Sequence, residues 1–327
     1  MEFPVRNCDH TLLITEALGG SAMEDGHSGI RRWEDMDIDI MVKIFESMNI
    51  IELTSGVGHV CRTWRMAACD SLLWKTLDLS LIRSNFIKIP LEPYVYVSAR
   101  SDKLFNQILK TALSLSQGNV STLIFHYNMY VNDEQLAYTA DRSLQLKRLV
   151  MPAWNRIKKA TICQAIRKWQ YLESLTMPTI LNPRYLIGAI SRHCKNFSEL
   201  KVMGPFDVVF ASTLAAYLPN LKVLSLRCTL LFKDALMVLL NDMKSLEVLN
   251  ISHCIVVEPP SGQTHRRVAV ELDSSIFERA CRLKQFLTCT SDECVMCERT
   301  RNDEGMIRWY KYEEDLWKFD EVSSLAI

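Results

Sequence analysis

The chain has 327 residues with 38 basic and 38 acidic side chains, so it has no net charge to draw in nucleic acid or an anionic membrane surface, and a protein partner is the default. At ~150 residues per domain this length suggests about two domains, although repeat architectures break that rule. Eleven scattered cysteines suit free thiols in the reducing cytosol or nucleus better than a disulfide framework, and no apolar run approaches the ~20 residues that cross a bilayer.

Residues 1–30 mix Gly, Ser, His and acids without periodicity and read as a mobile tail. From 31 to 79 the pattern turns helical. Met36, Ile40, Met41, Ile44, Phe45 and Met48 recur at the spacing of one helix face, with acids in the first turns where the helix dipole favours them. Leu53 opens a second short helix that Gly56 and Gly58 loosen, and Val57, Val60, Cys61, Trp64 and Ala68 give a third apolar stripe. Three short helices bury little on their own, so an apolar face is expected to be left over for a partner.

The stretch from Trp74 to Leu79 has the form apolar-x-x-apolar-x-apolar, and the form recurs. Its first positions fall at Val120, Leu146, Leu172, Phe197, Leu221, Leu246 and Leu283, in steps of 26, 26, 25, 24, 25 and 37 residues. A period in the twenties with L-x-x-L-x-L is the signature of leucine-rich repeats, each one short strand plus one return helix. Helical spacing fills the intervals: Ile157, Ile162, Ala165, Ile166 and Trp169; Leu186, Ile187, Ile190 and Cys194; Leu214, Tyr217 and Leu218; Ala235, Leu236, Leu239 and Leu240. The expected fold is α/β: three N-terminal helices over 31–79, then a right-handed solenoid of seven or eight irregular units over 80–288, with parallel strands on the concave face and helices on the convex face. The 46 residues from Trp74 to Val120 have room for two units, with an irregular turn around Pro90 and Pro93 before a helix from Asp102 to Leu115. The long last interval holds a surface loop around Glu258-Pro259-Pro260-Ser261-Gly262, and 289–327, with Trp309 and Trp317 on one helix face, reads as a terminal cap.

Trp33-Glu34-Asp35, the run Asp39 to Phe45, Val60-Cys61-Arg62-Thr63-Trp64-Arg65 and Leu73 to Leu79 together resemble the F-box of plant proteins that carry leucine-rich repeats, and the resemblance extends over residues ~31 to ~327. One departure is that Met36-Asp37 stands where that family usually has Leu-Pro, a change expected to weaken pre-organisation of the first helix. The resemblance implies a non-catalytic adaptor of a Skp-cullin-F-box ubiquitin ligase: the F-box binds a Skp-type linker and through it cullin, while the repeats hold the protein to be ubiquitinated. Linker contacts are then expected from Trp33, Met36, Ile40, Ile44, Phe45, Leu53, Val60, Cys61, Trp64 and Trp74. The alternative is a non-ligase scaffold in which the F-box-like segment merely caps the solenoid.

Side chains two, four and six places after each first apolar position are expected on the concave surface, because successive side chains alternate between the faces of a strand. His126, Arg148, Lys201, Arg227, Asn250 and Gln285 are the substrate-binding candidates, with Arg148, Lys201 and Arg227 as a basic stripe for an acidic or phosphorylated segment. Cys289, Cys294 and Cys297 form C-x4-C-x2-C, but the fourth ligand of a zinc site would have to come from Cys281, His265 or His253, none of which the spacing places nearby. They are read as buried or capping thiols, with no metal and no cofactor. There is no P-loop, H-E-x-x-H or G-x-S-x-G.

Overall fold

A computed structural model describes residues 33–82, 99–125, 129, 131–151, 155–177, 180, 182–202, 204–258, 272–289, 294, 297 and 298. Expectations for the tail 1–30, the turn at Pro90 and Pro93, the loop 259–262, His126, and Trp309 and Trp317 fall outside these residues.

The first three helices are α1 (Ile38–Phe45), α2 (Ile50–Ser55) and α3 (Arg62–Ala68). Asp37 caps α1 by accepting the Asp39 N–H at 2.8 Å, so the restraint that a proline would supply comes instead from a side-chain cap. The second helix starts at Ile50, earlier than Leu53, because Asn49 and Glu52 form a capping box: Asn49 Oδ1 accepts from Glu52 N at 3.0 Å and Glu52 Oε2 accepts from Asn49 N at 2.9 Å. It ends at Gly56, where a Cβ would lie 2.8 Å from the Glu52 carbonyl oxygen. Met41, Val42, Phe45, Leu53, Val57 and Ala67 form the small core, over which the Trp64 ring sits 5.5 Å from that of Phe45. Trp74, fully buried, donates its indole N–H to the Ala68 carbonyl at 2.7 Å and ties the helices to the strand that follows.

That strand, β1 (Thr76–Asp78), already belongs to the repeats. The chain continues through α4 (Ala99–Leu115), β2 (Thr122–Ile124), β3 (Val131–Asn132), α5 (Asp133–Arg142), β4 (Arg148–Val150), β5 (Asn155–Arg156), α6 (Lys159–Lys168), β6 (Ser174–Met177) and α7 (Pro183–His193). Then come β7 (Glu199–Val202), α8 (Val208–Tyr217), β8 (Val223–Ser225), β9 (Leu230–Phe232), α9 (Lys233–Asp242), β10 (Val248–Asn250), β11 (Ile255–Val257), α10 (Ser274–Ala280) and β12 (Gln285–Leu287). β1, β2, β4, β6, β7, β8, β10 and β12 lie side by side in that order, each parallel to the next, and α4 to α10 stack consecutively beside them. None of the described helices is long and apolar enough to cross a membrane.

Register explains why this sequence closes into a solenoid. Leu77, Leu123, Leu149, Leu175, Leu200, Leu224, Leu249 and Phe286 are direct partners across the eight strands, and the seven leucines are all buried. The first apolar positions, from Trp74 to Leu283, make a second buried column beside them. A one-residue slip would turn a leucine outward, so the pattern locks the register. One interval differs from expectation. β1 pairs directly with β2, so the 46-residue span is one long unit rather than two short ones; β10 likewise pairs with β12, so the 37-residue span is one unit, as the expected loop within it implied. The repeats also hold two minor two-stranded sheets, β3 with β5 and β9 with β11, and an isolated bridge from Phe206 to Leu231, in the segments between the main strands and the return helices.

Leu200→Ala at the centre of the ladder is expected to lower the unfolding free energy by about 2–5 kcal/mol. Urea titration of the full chain checks it, and a loss below about 1 kcal/mol would show that the column is not what holds the strands.

Candidate functional site

Half of the exposed large hydrophobic side chains among the described residues lie in the first three helices and the turns around them: Trp33, Ile38, Ile40, Ile44, Ile51, Val60, Met66, Leu72 and Leu81. The cause is local. Apolar residues occupy both faces of α1, so burying Met41, Val42 and Phe45 leaves Ile40 and Ile44, one turn apart, at 53% and 39% exposure. Beyond them an open groove of about 390 Å³ runs between Met48, Ile51, Glu52, Ser55, Gly56, Val57, Val60 and Trp64. Trp64 is held by an indole N–H bond to the Trp33 carbonyl at 3.4 Å, and Arg65 donates to the Gly58 carbonyl at 3.0 Å.

Of the residues expected to meet a linker, Trp33, Ile40, Ile44 and Val60 are exposed, while Met36, Cys61 and Trp64 are half-buried at the rim. Phe45, Leu53 and Trp74 are corrections. All three are buried in the core beneath the face, so they shape it without presenting a side chain to a partner.

The concave columns are less open than alternation implies. Lys201 is only 3% exposed, Asn250 is buried, and Ile124, Val150, Thr176 and Ser225 are buried alongside them. Arg148 Nη2 lies 3.0 Å from Glu199 Oε2, across Ser174 of the intervening strand. The basic stripe is therefore corrected: one cation is buried, another is already paired with an acid, and Arg227 and Gln285 are half-buried. Alternation assigns a face but not its accessibility. Burial pushes the Glu199 carboxyl above its ordinary 4.5, and the neighbouring Arg148 charge offsets only part of that rise.

A third constellation was not expected. His253 stands beside Cys289, Cys294 and Cys297, with their ligand atoms all within 4.8 Å of one another. The spacing gave His253 no place near the cysteines, and parallel pairing of β10 with β12 supplies it across 36 residues of sequence. Cys281 stays apart, donating to the Glu278 carbonyl at 2.9 Å. Burial, with the nearby Cys289 and Cys294 thiols, pushes Cys297 up to about 12, and burial does the same to Cys194, the opposite of an activated nucleophile.

The F-box-like family profile matches residues 38–80. An F-box/LRR-repeat protein of Arabidopsis thaliana is 59% identical over 300 residues, covering 91% of this chain and 97% of its own length. A putative F-box protein of the same plant is 24% identical over 93% of this chain and 98% of its own length. The Arabidopsis F-box protein SKIP1 is 22% identical over 54% of this chain and 56% of its own length.

The Glu199 shift carries a sign. A carboxyl whose value is raised in the folded chain holds its proton more tightly there than in the unfolded chain, so its contribution is full below the unfolded value and is lost as pH rises through the folded one. The Glu199 contribution should thus fall in the window just above 4.5, against the opposite trend of the lowered Asp133, Glu247 and Asp273 carboxyls, and Glu199→Gln should remove that fall from the difference between the two curves. Urea unfolding at stepped pH checks this; a variant curve parallel to wild type through that window would refute it.

Proposed function

Because the chain belongs to the plant F-box/LRR-repeat family, we propose that it is the substrate receptor of a Skp-cullin-F-box ubiquitin ligase, in which the F-box docks a Skp-type linker, the linker joins it to cullin, and the repeats hold the protein to be ubiquitinated. The observation that carries this reading is the exposure of Ile40 and Ile44, one turn apart on α1, and of Val60 beside the groove next to Trp64. A segment that only capped the solenoid would present a polar outer surface, as terminal caps do. Here the F-box does cover the first end of the sheet, through α2 against α4 and through β1, yet its other side is lined with isoleucine, valine and tryptophan. That combination favours an adaptor over the non-ligase scaffold.

In this reading the chain supplies proximity and orientation, a large share of a bimolecular barrier, and the bond-making groups belong to the conjugating enzyme. The target-binding surface belongs to the repeats.

Exposed and buried positions on α1 separate binding from folding. Ile40→Asp with Ile44→Asp is expected to leave the unfolding curve within about 0.5 kcal/mol of wild type, yet to weaken linker binding about 30-fold or more, near 2 kcal/mol. Phe45→Ala should instead cost about 3–5 kcal/mol of stability. Calorimetric titration with a Skp-type protein tests the pair, and undiminished affinity in the folded double variant refutes the docking face. Affinity capture with the proteasome blocked, using chains with and without residues 31–79, then tests the repeats: target retained by the truncated chain supports them as the receptor surface.

A further inference from the structure

We propose that His253, Cys289, Cys294 and Cys297 form a tetrahedral Zn²⁺ site that fastens the segment after β12 to the last turn of the sheet. Their four ligand atoms lie within 4.8 Å of one another, and three of the separations match a coordination shell. With Zn–S near 2.3 Å and Zn–N near 2.0–2.1 Å at tetrahedral angles, two ligating sulfurs lie about 3.8 Å apart and a sulfur and a nitrogen about 3.6 Å apart. Cys289 Sγ and Cys297 Sγ are 3.7 Å apart, and His253 Nδ1 lies 3.5 Å from Cys294 Sγ and 3.3 Å from Cys297 Sγ. A Cys289–Cys297 disulfide would need its sulfurs at about 2.05 Å and would leave Cys294 and His253 with no shared role.

Each ligand is placed by the repeat itself. Beyond β10 the chain turns at His253, whose φ of 59° is left-handed, and its N–H donates to the Cys289 carbonyl at 3.0 Å. Cys228 holds the equivalent place one unit earlier, with φ 61° and its N–H on the Ser252 carbonyl at 2.9 Å. The turn therefore repeats, and at its last copy it carries an imidazole facing the thiols. Cys294 and Cys297 come from one helical turn, closed by Glu298 N–H to the Cys294 carbonyl at 2.9 Å, and residues three apart on such a turn share a side.

Three cysteines and one histidine are a closed, soft set that leaves no position for water or substrate, which marks a structural rather than a catalytic zinc. On binding, Zn²⁺ displaces one proton from each thiol to solvent, and neutral His253 ligates through Nδ1. The cost of bringing together groups from 253 and from 289–297 is then met by the metal, at the end of the sheet that the F-box does not cover.

The test is the metal content of the full chain purified under reducing conditions without chelator. About one zinc per chain is expected, falling below about a tenth in His253→Ala and in Cys297→Ser and unchanged in Cys281→Ser. Because a ligand variant can misfold, wild-type chain is also stripped with chelator and refilled with Co²⁺; a thiolate-to-cobalt charge-transfer band that Zn²⁺ abolishes supports the site. Less than about a tenth of an equivalent of zinc in wild type, a cobalt titration without that band, a mapped Cys289–Cys297 disulfide, or zinc retained in both ligand variants would each overturn it.

Discussion

Parallel pairing in register of one leucine per unit is the constraint on which the rest of this molecule depends. Three-residue strands have little to hold them alone, and a parallel sheet needs both faces occupied. Here Leu77 to Leu249 stack in a single buried column while Phe286 closes it, and the return helices pack one against the next behind them. Because each unit touches only its neighbours, local irregularities cost little: a long crossover before β2 or before β12 leaves the ladder unbroken.

The same ladder decides what the sequence could disclose. Its period is written in every unit, so the solenoid and the helical intervals ending at Trp169, Cys194 and Leu218 were legible, and their apolar positions are inward with Tyr217 as the exposed exception. Unit count was not legible where an interval ran long, because spacing alone does not distinguish an added unit from an extended crossover. Nor was the inward side of α1, since Ile40 and Met41 are equally apolar and only the packed helices choose between them. His253 escaped for a different reason. Its neighbours are fixed by strand order, and no local pattern links residue 253 to residue 289 until β10 and β12 are known to be adjacent.

Electrostatics follow burial more than composition. A chain with balanced charge could still have carried a basic stripe on its inner curve, yet Arg148 meets Glu199 two strands away and Lys201 is withdrawn from solvent. A pair so placed makes a modest contribution to stability, because desolvation consumes most of the Coulomb attraction, and the raised Glu199 value is the visible trace of that cost.

An open parallel sheet has two edges, each a row of unpaired N–H and C=O groups that invites unwanted strand addition. The two ends of this sheet meet that liability by different means. At β1 the F-box runs directly into the edge strand, with Trp74 as the buried pin and α2 laid against α4, so it is also the solenoid's first cap. This coupling has a mechanical consequence: the F-box is joined to the repeats through packed side chains, α2 against α4, rather than by a flexible tether, so the fold sets the orientation of one relative to the other. At β12 no comparable helical module is present among the described residues, and the final strand is short, with Leu287 exposed. A small metal-ligated cluster would serve there, because three thiols and an imidazole on one ion can hold chain segments together without a large apolar interface. The two ends therefore differ in kind: one is closed by a packed helical domain, the other by a segment with too few contacts among the described residues to close it without a metal.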